Sequence, residues 1–108
     1  MTLTFNWAEV QVDNLMQQNP DGYRDDDKMI AKMNEETWEV EDALALYLQS
    51  PIPENLIALK TEIGDQLFAI VCFANKKNIS LEECFNLMME KNRKRFKDGY
   101  KKEIDIIT

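Results

Sequence analysis

The sequence has 108 residues, of which 20 are acidic and 13 basic, so its formal net charge is −7, and it contains no histidine. A chain of this length suits one compact domain, and its negative charge disfavours binding to the phosphates of duplex nucleic acid. The absence of histidine excludes Ser-His and Cys-His catalysis and histidine-rich zinc sites. We therefore expect a single domain over residues 1–108 that does not bind duplexes.

The apolar residues and the cysteines exclude further classes of protein. The longest apolar run, residues 67–74, is far shorter than the roughly 20 residues needed to span a bilayer. Cys72 and Cys84 are too few for a disulfide scaffold, and neither has a basic neighbour that would activate its thiol, so both are predicted to be core residues. The start of the chain lacks the pattern of a signal peptide. We expect a cytoplasmic protein with no membrane contact.

The first half of the chain predicts two helices. The first is capped by Thr2 or Thr4 and reaches about Gln18. Turn-forming residues 19–22 follow it. A run of three aspartates, which suits a helix N-terminus, then leads into a second helix at about residues 27–48.

The second half of the chain predicts two more helices. The proline-rich residues 50–53 break the second helix and suit the entry to a third, at about residues 54–77. Ser80 begins a capping box, so a fourth helix is predicted from there to about Lys97, with Gly99 ending it. No segment alternates like a strand. Four helices with short connections predict an all-α, bundle-like fold.

The third helix is unusual because residues 67–74 are apolar on every side. A helix of this kind must be covered all round, and four short helices cover only part of it. The preferred interpretation is that a second copy of the chain supplies the rest through a two-fold interface, as a homodimer or as a dimer of dimers. A monomer with a fully central third helix is the alternative.

Acidic residues lie three apart on both the second and the third helix. Glu36 and Glu39 share one helix face, and Glu62 and Asp65 share another. Both pairs point towards packed surface, where four carboxylates would repel one another unless a cation compensated them. Oxygen ligands suit hard divalent cations, of which magnesium is the commonest. The alternative is a pair of solvated acidic faces.

Gly64 lies between the two acids of the third helix. Glycine inside a helix lowers the stability of the helix by about 1 kcal/mol relative to alanine, so its presence at this position needs an explanation. A site that needs close backbone approach would explain it. The alternative is a tolerated kink without a chemical purpose.

The ordered acids resemble a family signature. The pattern is Glu-Glu-x-x-Glu, a spacer and Glu-x-x-Asp, formed here by Glu35, Glu36, Glu39, Glu62 and Asp65. It resembles the signature of the MazG-like all-α nucleoside triphosphate pyrophosphatases. An apolar stretch, a capped fourth helix and a basic segment follow in the family's order, so the resemblance spans about residues 28–96 and implies a MazG-type fold.

The resemblance also implies a reaction and a cofactor. It implies that Glu36, Glu39, Glu62 and Asp65 bind magnesium, for which manganese can substitute, and that Glu35 orients a ligand or the attacking water. The implied reaction is hydrolysis of (deoxy)nucleoside triphosphates to the monophosphate and pyrophosphate, in a role that cleans the nucleotide pool. Metal-assisted attack by water on a phosphate is consistent with a site that has carboxylates and no histidine.

The basic segment of the fourth helix supplies candidate partners for the phosphates. Lys91 and Arg95 lie one turn apart, and Lys94 lies on a neighbouring face. Asn92 is a candidate for a bond to a sugar or phosphate oxygen. The alternative is a solvated helix end whose cations suit the helix dipole.

Recognition of the base is predicted only loosely. Trp7 and Trp38 are the preferred candidates for stacking on a nucleobase, ahead of Tyr23 and Tyr47. Aromatic residues at helical spacing are usually core residues, which is the alternative.

Two other functions compete with the enzyme. One is a catalytically inactive helical module that pairs with a partner through its apolar third helix. The other is a metal-buffering bundle. The intact acid pattern favours the enzyme over the first, and the basic fourth helix has no purpose in the second.

Overall fold

The computed structural model describes residues 4–98, apart from the side chain of Asp98, and this part of the chain contains four α-helices and no strand. The helices are α1 (Phe5–Gln17), α2 (Asp26–Gln49), α3 (Pro53–Lys76) and α4 (Leu81–Asp98). The predicted all-α fold is confirmed, and the predicted helix boundaries agree with the observed ones to within one residue. The alternative cap at Thr2 and the stop at Gly99 lie outside the described residues.

Short polar side chains begin the first and last helices. Thr4 caps α1 by accepting a backbone N–H from its first turn at 3.0 Å. Ser80 does the same for α4, where its hydroxyl accepts the backbone N–H of Glu83 at 3.3 Å, which is one half of a capping box. The backbone N–H of Leu81 donates to the carboxylate of Glu9 at 3.1 Å, so the start of α4 is also tied to α1.

The hairpin of α2 and α3 dominates the fold, α1 packs on α3, and α4 packs chiefly on α1. Side-chain hydrogen bonds join these helices. Gln66 of α3 donates to the hydroxyl of Thr37 on α2 at 3.0 Å. Asn75 of α3 donates to the backbone carbonyl of Glu9 on α1 at 3.0 Å. The faces of α2 and α3 that carry the acidic pairs therefore belong to the best-packed part of the chain.

The loop between α1 and α2 is held in place from both sides. Gly22 has a φ of 63°, a conformation that glycine adopts without strain. Asn19 holds the turn by donating to the carbonyl of Gly22 at 3.3 Å. Lys76, near the end of α3, donates to the backbone carbonyl of Arg24, and Lys77 pairs with Asp26 at 2.9 Å. The loop thus lies over the end of α3.

The core of a single chain is small. Its buried apolar residues are Val12, Met29, Ala69, Val71, Cys72 and Ala74, and no large side chain of the described residues is fully buried. On α3, Ile63, Leu67 and Ile70 remain exposed, with 59% of Leu67 accessible. They recur at helical spacing, on the side of α3 turned away from Glu62 and Asp65. One chain therefore leaves an apolar stripe of α3 uncovered.

The two cysteines lie in different surroundings. Cys72 is buried between α1 and α2, as predicted, and burial raises the pKa of its thiol to about 11. The prediction was wrong for Cys84, which is exposed, because α4 packs chiefly on α1 and leaves its other sides open. Among the described helices, none has a stretch apolar and long enough to traverse a bilayer.

Candidate metal and substrate site

The hairpin brings two acidic pairs together. Carboxylate oxygens of Glu36 and Glu39 on α2, and of Glu62 and Asp65 on α3, all lie within 4.8 Å of one another. Each pair is three residues apart and so shares one side of its helix, and the two sides face each other. We call these four residues the carboxylate quartet.

The quartet is partly buried and has unmet hydrogen-bonding capacity. Glu36 is only 3% exposed, while Asp65 is open to solvent. Oε2 of Glu36 and Oε2 of Glu62 are buried and have no hydrogen-bond partner among the described residues. A buried, unpartnered carboxylate oxygen is destabilising by several kcal/mol as an order of magnitude. Clustered carboxylate oxygens, two of them buried without a partner, fit a hard divalent cation.

Crowding of the carboxylates raises the affinity of the quartet for a proton. The pKa of Glu39 is raised to about 7, first by a hydrogen bond with the carboxyl group of Glu62, then by desolvation and by the neighbouring Glu36. Lys32 contributes the nearest positive charge, 2.9 Å from Oε1 of Glu36. The same bond raises the pKa of Lys32, so its ammonium stays charged.

Glu35 lies at the rim of the quartet and does not belong to it. Its side chain is 55% exposed, and its Oε1 lies 3.6 Å from the ammonium of Lys32. It precedes Glu36 in the helix by about 100° of rotation, which turns it towards solvent. A carboxylate in this position has access to water beside the quartet.

A cavity of about 370 Å³ adjoins the quartet. Its size is within the range of small-molecule sites. The lining comes from three helices and the α1–α2 loop, and it comprises Met16, Asn19, Arg24, Met29, Lys32, Glu36, Asp65, Phe68, Ala69 and Cys72. Lys32 was recognisable in the sequence, since it lies one turn before Glu36. Nothing in the sequence indicated Asn19 or Arg24, because only the folding of the α1–α2 loop brings them to this cavity.

None of the predicted substrate-binding residues lines this cavity. Trp38 is 68% exposed, since it lies about 200° around α2 from Glu36. Trp7 is 40% exposed on α1, and neither tryptophan lines the cavity. On α4, Lys91 and Lys94 are exposed while Asn92 and Arg95 are half-buried, and none of the four lines the cavity either.

Comparison with known proteins agrees with this architecture. The chain is 34% identical over 100 residues to the uncharacterized protein YpjD of Bacillus subtilis (strain 168), with 90% of each chain covered. The crystal structure of a Bacillus-conserved MazG protein, described as a nucleotide pyrophosphohydrolase, has a TM-score of 0.73 and 30% identity over 84% of this chain and 90% of that one.

A second solved structure, of the putative pyrophosphatase YPJD from Bacillus subtilis, has a TM-score of 0.72 and 31% identity over 86% of this chain and 98% of that one. Residues 24–100 match the MazG nucleotide pyrophosphohydrolase domain. This match includes the whole quartet and most of the chain. The chain therefore belongs to the MazG family of nucleotide pyrophosphohydrolases.

Proposed function

We propose that this protein hydrolyses nucleoside triphosphates, deoxynucleoside triphosphates among them, to the nucleoside monophosphate and pyrophosphate. The observation that carries the proposal is the carboxylate quartet, with two buried oxygens that lack a partner, at the edge of a cavity of about 370 Å³. The family of the chain supports the same reaction class. The proposed role is removal of unwanted nucleotides from the cytoplasmic pool.

Magnesium is the proposed cofactor, with manganese as its substitute. Glu36, Glu39, Glu62 and Asp65 are the proposed ligands. A cation held there supplies a more acidic water and neutralises charge on the phosphates. Glu35 is proposed to orient the attacking water and accept its proton, because it is the exposed carboxylate at the rim and the chain has no histidine for that task.

The cavity is the proposed place of the nucleoside. With the phosphates beside Glu36 and Asp65, the sugar and base extend along the apolar wall that Phe68, Ala69 and Cys72 form on α3. Asn19 and Arg24 then offer polar contacts to the nucleoside. Two further sets of contacts stay predictions. One is stacking of the base on Trp7 or Trp38. The other is binding of the phosphates by Lys91, Asn92, Lys94 and Arg95.

Self-association is part of the proposal. The exposed stripe of Ile63, Leu67 and Ile70 runs along the helix that holds half of the quartet. Covering it with a second copy of α3 would complete the core that one chain lacks. A homodimer, alone or as half of a tetramer, is the proposed assembly.

A product assay tests the reaction. Purified protein is incubated with magnesium and a panel of standard and modified nucleoside triphosphates, and pyrophosphate is measured separately from orthophosphate. Pyrophosphate is the expected product, whereas orthophosphate alone would contradict the proposed bond cleavage.

Glu36→Gln and Asp65→Asn are expected to abolish turnover and to leave the helical circular dichroism intact. Glu41→Gln, on the exposed side of α2, is the matched control. Normal rates in both acid variants would refute the metal assignment.

A further inference from the structure

Arg24 lies at the end of the cavity away from the carboxylate quartet. It belongs to the loop just before α2, whose cavity-lining residues run from Met29 to Glu36. Its backbone carbonyl accepts a hydrogen bond from the ammonium of Lys76, which follows Asp65 by roughly 16 Å along the axis of α3. The guanidinium of Arg24 therefore enters the cavity from the end opposite the proposed metal ligands.

The backbone around Arg24 is held on both sides. On one side, the Tyr23 hydroxyl bonds to a side chain of α1 at 2.7 Å and to a side chain of α3 at 3.2 Å. On the other side, Asp26 pairs with Lys77 at 2.9 Å. A side chain that starts from an anchored backbone binds a ligand with little further loss of backbone entropy. The loop thus presents the guanidinium from a fixed place.

The Arg24 guanidinium carries hydrogen-bond donors that the fold does not use. The side chain is exposed, and no described residue forms a hydrogen bond or an ion pair with the guanidinium. Asn19, a second polar residue at this end, bonds within its own turn through both ends of its amide. The sulfur-containing residues Met16, Met29 and Cys72 add a nearly apolar wall. Among the described residues, this end of the cavity therefore offers donors and few acceptors.

A guanidinium fork recognises a base that carries two adjacent acceptors on one edge. Purines with a 6-oxo group, such as guanine and hypoxanthine, carry O6 and N7 on the edge away from the sugar, and arginine binds this pair bidentately. Adenine has an amino group in place of O6, and that group needs an acceptor that arginine lacks. Pyrimidines carry no such pair on the corresponding edge. With the phosphates at the quartet, this edge of a purine points to the far end of the cavity.

We propose that Arg24 recognises the base of the substrate and selects nucleotides of the 6-oxopurines, guanine and hypoxanthine. It donates two hydrogen bonds, one to O6 and one to N7, from the end of the cavity opposite the quartet. This inference rests on the proposed function for the place of the phosphates. It makes Arg24 a specificity-determining residue, so its removal changes the choice of base more than the affinity for the phosphates.

Calorimetric titration in magnesium buffer measures the choice of base without relying on turnover. The ligands are the α,β-methylene analogues of GTP and ATP, whose carbon bridge blocks cleavage between those phosphates. The wild-type protein is expected to bind the guanine analogue about 10-fold or more tightly than the adenine analogue. Arg24→Met is expected to lose this preference by weakening only the guanine analogue, and its unchanged affinity for the adenine analogue shows that it is folded. Arg93→Met removes an exposed arginine of α4 and is expected to keep the preference.

Two further probes separate a paired hydrogen bond from a simple attraction of charge. Arg24→Lys keeps the charge without the planar fork, so it is expected to lose most of the preference for guanine. Inosine monophosphate retains O6 and N7 and is expected to bind the wild-type protein like guanosine monophosphate. The 7-deaza form of guanosine monophosphate lacks N7 and is expected to bind more weakly. Equal binding of the 7-deaza and ordinary forms would refute the paired contact.

Two results of the titration would overturn the proposal. One is equal affinity of the wild-type protein for the guanine and adenine analogues. The other is an equal loss of affinity for both in Arg24→Met, which would make Arg24 a general partner for the charge of the ligand. A preference for guanine that depends on Arg24, with no pyrophosphate released from any triphosphate, would refute the proposed function alone. Release of pyrophosphate without any preference for a base would refute the role of Arg24 alone.

Discussion

Carboxylate oxygens of Glu39 on α2 and Glu62 on α3 lie within 4.8 Å of each other across the two helices. Two carboxylates this close disfavour each other's ionisation, and interaction with Glu62 is the largest cause that raises the pKa of Glu39 to about 7. A metal ion at the quartet competes with a proton for the same oxygens. Proton binding, metal binding and stability are therefore linked at this pair.

We predict that the metal-free protein loses stability as the pH rises from about 5 to about 8. The raised pKa of Glu39 means that the folded state binds the proton more tightly than the unfolded state does. This contribution to stability is fully present below the ordinary pKa of 4.5 and is lost as the pH rises through about 7. With no histidine in the chain, few other groups titrate in this window. Thermal melts in a chelating buffer measure the effect.

Two comparisons check the cause of this pH dependence. Glu39→Gln cannot ionise and is expected to flatten the dependence of the melting temperature on pH. Added magnesium is expected to raise the melting temperature of the wild-type protein more at high pH than at low pH, because the ligands must be deprotonated to bind it. A magnesium effect that is equal at both ends of the range would contradict the assignment.

Tyr23→Phe is expected to destabilise the protein by about 1–2 kcal/mol. The Tyr23 hydroxyl donates to Oδ1 of Asp13 at 2.7 Å and accepts from Nδ2 of Asn75 at 3.2 Å, so it joins the α1–α2 loop to α1 and α3. Burial and the bond to Asp13 raise the pKa of Tyr23 to about 12, so this contribution is fully present below pH 10 and is lost as the pH rises through about 12. Urea denaturation measures the difference.

Tyr47→Phe is the matched control for that change. Tyr47 is also half-buried, but it lies on α2, outside the hydrogen bonds that join Tyr23 to Asp13 and Asn75. Removing the Tyr47 hydroxyl is expected to change the free energy of unfolding by less than about 0.5 kcal/mol. Equal losses in the two variants would show that the Tyr23 network does not hold the loop.

Gly64→Ala is expected to stabilise the chain by roughly 0.5–1 kcal/mol, since alanine loses less backbone entropy than glycine in a helix. A Cβ built at Gly64 meets nothing within 4 Å, so the predicted close backbone approach is absent within one chain. Urea denaturation of the variant measures the change. Destabilisation instead would indicate that another chain packs against this position.

Leu67→Asp is expected to dissociate the proposed homodimer. The side chain is 59% exposed in one chain, in the middle of the stripe that Ile63 and Ile70 complete. A charge at the centre of an apolar interface is left without a partner, so association weakens. Light scattering coupled to gel filtration compares the variant with wild type and with Lys60→Asp. Wild-type protein that elutes as a monomer at every concentration would disprove the assembly.

The sequence by itself determined what depends on neighbours along the chain. Thr4 and Ser80 cap helices because each side chain reaches backbone N–H groups of its own first turn. The three-residue spacing within each acidic pair places both acids on one side of a helix. These local rules predicted four helices, and together with the order of the motifs they indicated the family.

Only the tertiary structure decided which of these surfaces meet. The packing of α2 against α3 determines the distances within the quartet, the burial of Glu36 and the exposure of Trp38. The position of α4 determines the exposure of Cys84. Arg24 lines the cavity from a loop whose backbone Lys76 contacts from the end of α3. Helical periodicity specifies the angle of a side chain around its own axis, but contact between helices depends on the packing of every side chain in the interface.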